Sequence, residues 1–222
     1  MTVARSIAEP IIALRPDMNH VEREERVREV MAQVGLSEEL INRYPHELSG
    51  GQNQRVGIAR AIVLKPRLVV CDEAVSALDV SIQAQVVNLL SDLQKQFGLA
   101  MLFISHDLKL VSYLAHEVAV MYLGVIVEQA EPEALYGDPS HPYTRALLAA
   151  VPDPRRKGER PLLAGEPPNP AARPTGCVFH PRCPIAIDKC RTVVPELSPG
   201  TAGRLVACHL APRDMAPLKT VS

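Results

Sequence analysis

An α/β fold built on a parallel sheet is the class this sequence predicts, and three observations carry the prediction. Helical and strand patterns alternate up to about Tyr136. Two short apolar runs, Arg67-Leu-Val-Val-Cys71 and Leu99-Ala-Met-Leu-Phe-Ile104, suit buried parallel strands. Polar residues stand at the C-terminal end of each: Asp72-Glu73 after the first, Ser105-His106-Asp107 after the second. In open parallel sheets the working residues gather at those ends.

Each element follows from local pattern. Val27, Val30, Met31 and Val34 recur at helical spacing, and Gly35 closes the helix. A second short helix fits Ser37 to Arg43 and must stop before Pro45. A third opens at Gly50-Gly51 and runs to about Leu64, where Lys65-Pro66 ends it. After the first strand, Asp79 caps a long helix whose apolar face is Ile82, Val86, Leu89, Leu90, Leu93 and Phe97, with Gly98 at its close. The second strand and a short helix follow. Then come a strand from Glu117 to Tyr122, a turn at Leu123-Gly124 and a last strand from Val125 to Glu128. Beyond Gly137 the pattern changes. Thirteen of the 20 prolines and four of the five cysteines lie at or after Pro152. Such proline density disfavours long helices and central strands. One helix, Tyr143 to Ala150, is expected there. The irregular segment after it needs something other than a large core to hold it.

Bulk properties exclude several classes. A net charge of −1 signals neither a nucleic-acid nor a membrane-surface partner. The apolar run Leu99–Ile104 is far shorter than the ~20 residues a membrane span needs. The N-terminus, MTVARSIAEP, lacks the long apolar core of a signal peptide. The chain therefore reads as intracellular, and its cysteines as thiols or metal ligands before disulfides.

Three elements carry phosphate chemistry. Ser49-Gly50-Gly51 precedes a helix, where unpaired N–H groups and the positive dipole end meet an anion. Alone, it is more often only a turn and N-cap. A carboxylate at the tip of a buried strand, Asp72, can hold Mg²⁺ through water, and its neighbour Glu73 can orient or deprotonate an attacking water. Alone, the two are more often a cap or a surface pair. His106 after the next strand can contact a γ-phosphate, although a lone histidine is more often structural.

In this order the elements are far more specific. Leu48-Ser-Gly-Gly-Gln52 resembles the signature motif of ABC transporter ATPases, Leu68 to Glu73 the Walker B strand with its catalytic glutamate, Ser76-Ala-Leu-Asp79 the D-loop, and His106 the switch histidine. Asn42-Arg-Tyr-Pro-His-Glu-Leu-Ser-Gly-Gly51, Ser76 to Val86 and His141-Pro-Tyr-Thr-Arg-Ala-Leu147 are similar, more narrowly, to the oligopeptide/dipeptide importer ATPases, and to the second ATPase of that transporter. The resemblance implies a P-loop NTPase-type core with a helical subdomain, divided here as a nucleotide-binding part over residues 1–136 (helical to about 64, core from about 65) and a peptide-transporter-type C-terminal region over 137–222. It implies ATP and Mg²⁺, with Glu73 and His106 catalytic. Ser49, Gly50, Gly51, Gln52, Asp72, Ser76 and Asp79 are its nucleotide-binding set. It also implies a second ATPase subunit, two membrane-spanning permease subunits, an extracytoplasmic peptide-binding protein and a place on the cytoplasmic face of the membrane.

One part of the pattern is missing. None of the six lysines, at 65, 95, 109, 157, 189 and 219, follows a glycine, so the sequence holds no Gly-Lys-Ser/Thr phosphate loop. In the family each ATP lies between two subunits, one giving the loop and the other the signature. The expectation is an N-terminally truncated chain that completes a partner's site and does not hold ATP alone. A catalytically inactive interaction module is the competing expectation. Where the family often has proline after the glutamate, this chain has Ala74.

Cys177, Cys183, Cys190 and Cys208 are separated by five, six and seventeen residues. Tight Cys-x-x-Cys zinc pairs are absent. Metal or cluster ligation, free cysteines and disulfides all remain open on spacing, with Cys183-Pro184 weakly similar to a cluster motif. The stretch Gly176 to Ala186 with Cys190 and Cys208 resembles the importer C-terminal region, in which four cysteines are associated with a four-iron, four-sulfur cluster. His180 and His209 read as surface residues, and Cys71 as a buried small apolar residue.

Overall fold

A computed structural model of the chain describes residues 1–76, 78–151, 166, 168–169 and 171–211. The chain falls into two units, residues 1–106 and 107–222.

The first unit begins with a helix that the alternation did not reveal, α1 (Val3–Leu14), which contains Pro10 and buries Val3, Ile7 and Ile11. Two of its otherwise unpaired first N–H groups find carbonyls elsewhere. Val3 N donates to Arg43 O and Ala4 N to Ile41 O, both at 2.9 Å. Helix α2 (His20–Gln33) opens with a capping box between Asn19 and Glu22 and buries Val27, Val30 and Met31. Gly35 follows it at φ +69°. Ser37 to Arg43, expected as a short helix, is reduced to one 3-10 turn, Glu38–Leu40.

Helix α3 (Gly50–Ile62) packs against α1 and α2. The pair α2–α3 is joined by reciprocal arginines. Arg26 Nε of α2 donates to Val63 O at the end of α3 (2.7 Å), and Arg55 Nη1 of α3 donates to Val34 O at the end of α2 (2.6 Å). Each helix thus satisfies a terminal carbonyl of the other.

Strand β1 (Leu68–Asp72), helix α4 (Val80–Phe97) and strand β2 (Ala100–Ile104) follow. The two strands are parallel, with Leu68 opposite Ala100 and Asp72 opposite Ile104. Asp79 caps α4 and Gly98 closes it in the left-handed region, as the pattern predicts. The expectation of strands buried on both faces is corrected. Val69 and Cys71 are buried, whereas Leu68, Val70, Leu102 and Ile104 on the other face are exposed. Among the described residues this sheet has two strands, and nothing covers its second face.

The second unit carries α5 (Leu108–Leu114), β3 (Val118–Tyr122), β4 (Val125–Ala130), α6 (Pro132–Gly137), α7 (Pro142–Ala149), α8 (Asp188–Thr192), β5 (Ser198–Pro199) and β6 (Leu205–Val206). Its sheet runs β3-β4-β6-β5 and is antiparallel throughout. The turn expected at Leu123-Gly124 is present, Leu123 at φ +48° and Gly124 at φ +75°, and so short a link makes β3 and β4 antiparallel neighbours, outside the parallel β1–β2 pair.

The cysteine-bearing segment is also less irregular than expected. It contributes β5 and β6 to the sheet and places Phe179, fully buried, in a core with Val118, Val120, Tyr122, Val127, Ala130 and Leu135. Phe179 meets the Tyr122 ring edge-on, centroids 5.2 Å apart. The proline-rich stretch 152–165 lies outside the described residues.

Candidate functional site

The tips of β1 and β2 are tied together. Glu73 leaves β1 at φ +46°, an unfavourable conformation for a residue with a side chain, and its N–H donates to Ile104 O at 2.9 Å. Its carbonyl accepts from Ser76 N and Ser76 Oγ. This turn swings the Glu73 carboxylate toward His106, whose Nδ1 lies 3.1 Å from Glu73 Oε1. Both side chains are open, 53% and 73% exposed. With Glu73 ionised, Nδ1–H is the donor and the Nε2 lone pair faces away. Glu73 Oε2 is left for water. Asp72, at the end of β1, is exposed beside them. The structure therefore brings Glu73 and His106 together, as strand ends should.

The Ser49 segment is built differently. Ser49 Oγ accepts from Gln52 N (3.2 Å) and Gln52 Oε1 accepts from Ser49 N (2.9 Å), a capping box at the start of α3. The box leaves the Ser49 hydroxyl hydrogen and the Gln52 NH₂ outside it. Gly51 has a second reason to lack a side chain: a Cβ there would sit 2.7 Å from Ile82 Cγ2 of α4. Gly50 lies against Leu78, where a Cβ would find 3.5 Å. Asp79 caps α4, its Oδ1 accepting from Ile82 N (3.0 Å) and Ser81 Oγ (2.7 Å). The Ile82 amide first, then the Ser81 hydroxyl, hold its carboxyl below the ordinary range. Within the stretch Ser76–Asp79, Ala77 lies outside the described residues. The packing role of Gly51 was not foreseen, since its cause lies 31 positions further along the chain.

The four C-terminal cysteines are free thiols. Cys190 is buried; Cys177, Cys183 and Cys208 are half-buried. They share one neighbourhood: Cys177 N donates to Cys190 O (2.8 Å), and the thiols of Cys177 and Cys183 are each influenced by those of Cys190 and Cys208. Burial pushes the Cys177 and Cys183 thiols up, away from the ligating thiolate. Among the described residues no three His, Cys, Asp or Glu side chains could hold a metal ion. The cysteines therefore do not fit a single-ion site. His180 and His209 are half-buried, bonded to Cys177 O (2.9 Å) and Val193 O (3.0 Å).

A buried polar network was missed entirely. Glu128, fully buried, accepts from Ser140 N (2.8 Å) and His141 N (2.9 Å). Arg204, from just before β6, lies 3.7 Å from Glu128 and donates to Ser140 Oγ (2.8 Å) and to Asp138 O. His141 caps α7, its Nδ1 accepting from Tyr143 N (3.1 Å), and its ring lies against Phe179. Burial pushes its pKa down to about 4. The His-Pro-Tyr stretch is thus a structural joint between α7, β4 and the residue preceding β6.

Comparison with known proteins gives the following. Residues 1–76 match the family described as "ABC transporter", and residues 127–190 the family described as "Oligopeptide/dipeptide transporter, C-terminal region". A Sinorhizobium fredii protein described as a probable peptide ABC transporter ATP-binding protein is 53% identical, over 95% of this chain and 60% of its own. The oligopeptide transport ATP-binding protein OppF of Escherichia coli is 52% identical, over 94% of this chain and 63% of its own. Among solved structures, cbiO1 from Clostridium perfringens, part of an ABC transporter complex, is 26% identical with a TM-score of 0.55, covering 62% of this chain and 53% of its own. The chain spans about 60% of the length of the curated relatives it matches. Its α/β fold is that of the ABC ATPase cassettes.

Proposed function

From the premise that this chain is a homologue of the ATP-binding proteins of peptide ABC transporters, we propose that it serves ATP hydrolysis for oligopeptide or dipeptide import. The carrying observation is the Glu73–His106 contact at the ends of two parallel strands, both side chains open to solvent. Glu73 receives the proton of the attacking water. His106 fixes the carboxylate through Nδ1–H, and it reaches the γ-phosphate through Nε2 only with a proton there to donate. Asp72 would hold Mg²⁺ through water, and a bound ion would supply neutralisation of phosphate charge. Ser49, Gly50, Gly51 and Gln52 offer a hydroxyl, an amide and helix N–H groups to a nucleotide whose phosphate loop lies on another polypeptide. Ser76 and Asp79 hold the turn and the start of α4 that flank this site.

The partners of this reading are a second ATPase subunit, two membrane-spanning permeases and an extracytoplasmic peptide-binding protein, with the chain peripheral on the cytoplasmic face. No described helix is long and apolar enough to cross a membrane. The nucleotide chemistry belongs to residues 1–136, and residues 137–222 to the C-terminal region. The match of residues 127–190 to the peptide-transporter C-terminal region is what supports a four-iron, four-sulfur cluster on Cys177, Cys183, Cys190 and Cys208. A brown protein with visible absorbance after anaerobic reconstitution is the expected result; a colourless product with unaltered thiol count rejects the cluster.

The test of the main reading is phosphate release by this chain alone, with a partner ATPase that supplies a phosphate loop, and with the partner alone. Turnover should appear or rise only in the mixture. The lysine pattern favours a second reading, a module that turns over no ATP. A mixture no faster than the partner alone selects it.

A further inference from the structure

The ring contacts of the second unit, among Tyr122, His141, Tyr143 and Phe179, lie in or against its core. One stack in the first unit is displayed instead. The rings of Tyr44 and His46 lie nearly parallel, 16° apart with centroids at 5.7 Å. Both residues are exposed, Tyr44 at 48%. Tyr44 caps the 3-10 turn Pro45–Glu47 and His46 lies within it, so the pair stands just ahead of Ser49, the cap of α3. The turn is firmly held. Tyr44 N donates to Glu47 Oε2 (2.7 Å), Glu47 N to Tyr44 O (2.9 Å), and Asn53 Nδ2 of α3 to Pro45 O (2.9 Å). The last bond ties the ring-bearing turn to the same helix that Ser49 begins. Arg43 Nη1 and Glu47 Oε1 are paired with each other at 2.8 Å. What the turn presents is therefore a pre-organised ring surface and not an unpaired cation beside it.

We propose that the Tyr44–His46 stack is a platform for the base of a purine nucleotide, the far end of the nucleotide whose phosphates meet Ser49, Gly50 and Gly51. Tyrosine and histidine rings offer a π-face on which a base stacks, and a purine covers more of that face than a pyrimidine. Three residues, at most about 11 Å of chain, separate His46 from Ser49. A nucleoside triphosphate bridges such a distance through its sugar. The helix start takes the anionic end, and the rings take the uncharged end. Stacking is tolerant of base identity, so the platform favours a nucleotide over bare polyphosphate and does not itself tell adenine from guanine. The inference rests on the reading of Ser49 as a phosphate contact and extends it to the nucleotide's other end.

The test titrates the full chain with adenosine, guanosine, ATP and tripolyphosphate. The readout is the proton NMR signals of the His46 ring, identified by their loss in His46→Gln. Adenosine, guanosine and ATP should move these signals upfield along a saturable curve, and tripolyphosphate should leave them in place. Tyr44→Ala should weaken the adenosine response by at least about fivefold, and Tyr44→Phe should retain it. Far-ultraviolet circular dichroism should be unchanged in both variants, because the Tyr44 ring is exposed. No response to adenosine overturns the proposal, and so does an equal response in Tyr44→Ala. A response to ATP and tripolyphosphate alike, with none to adenosine, reveals an anion site only and also overturns it. Adenosine carries no phosphate and undergoes no turnover, so failure here is distinct from failure of the ATPase reading.

Discussion

Two glutamates in this chain show how differently one side chain can be used. Glu73 stands 53% exposed with a histidine at 3.1 Å and a backbone in the left-handed region. Glu128 is fully buried, with both oxygens taken by backbone N–H groups and an arginine alongside. The first is under-satisfied and open, the condition a general base requires. The second is saturated and closed, the condition a structural joint requires. A carboxylate near a histidine is therefore uninformative until its lone pairs are counted.

The comparison can be broken by substitution. Glu73→Gln should lower phosphate release in the two-subunit mixture by about 10²- to 10⁴-fold while shifting the urea midpoint little. An equal loss of stability would place Glu73 with Glu128. Glu128→Ala should destabilise its unit by about 3–5 kcal/mol, since it strands Arg204 in the core. Urea unfolding measures this, and a loss below 1 kcal/mol would mean that the network is dispensable.

Protonation sharpens the contrast. The folded-state pKa of His141 is depressed to about 4 against an ordinary value of 6.5. The unfolded chain then binds the proton more readily, so stability is full above pH 6.5 and falls as the pH drops toward 4. The shift corresponds to about 3 kcal/mol. His141→Asn, which retains a capping side chain, should flatten the dependence in urea titrations across this range. An unchanged slope would remove His141 as its source.

Smaller effects test the frame around the open site. Arg26→Ala and Arg55→Ala should each cost about 1.5–3 kcal/mol through the loss of a charged donor to a helix end, read as a drop in Tm. Gly51→Ala should cost about 1 kcal/mol through the close approach of Ile82. In an Ile82→Ala background that penalty should vanish; its persistence would point to the backbone.

What could be read in advance follows from how local each cause is. The caps at Ser49 and Asp79 and the stop at Gly98 lie within a few residues of the helices they bound, and all three were legible. So was the placement of Asp72, Glu73 and His106, because strand ends can be read from apolar runs. The Leu123-Gly124 turn carried its own signal, and so short a link between two strands makes an antiparallel pair. Val3, Ile7 and Ile11 have helical spacing, yet Pro10 among them obscured α1. The Glu128–Arg204 pair, the Arg26 and Arg55 contacts and the burial of Phe179 join positions far apart in sequence. No local pattern contains them.

The crossed arginines have a mechanical meaning. Each anchors near the middle of its own helix and grips the end of the other, so axial slippage of α2 against α3 must break both grips at once. The two helices carry load as a single beam. A displacement of the Val34–Gly35 bend therefore reaches Ser49, about 9 Å along α3 from Arg55, as rigid travel instead of being absorbed as play in the joint.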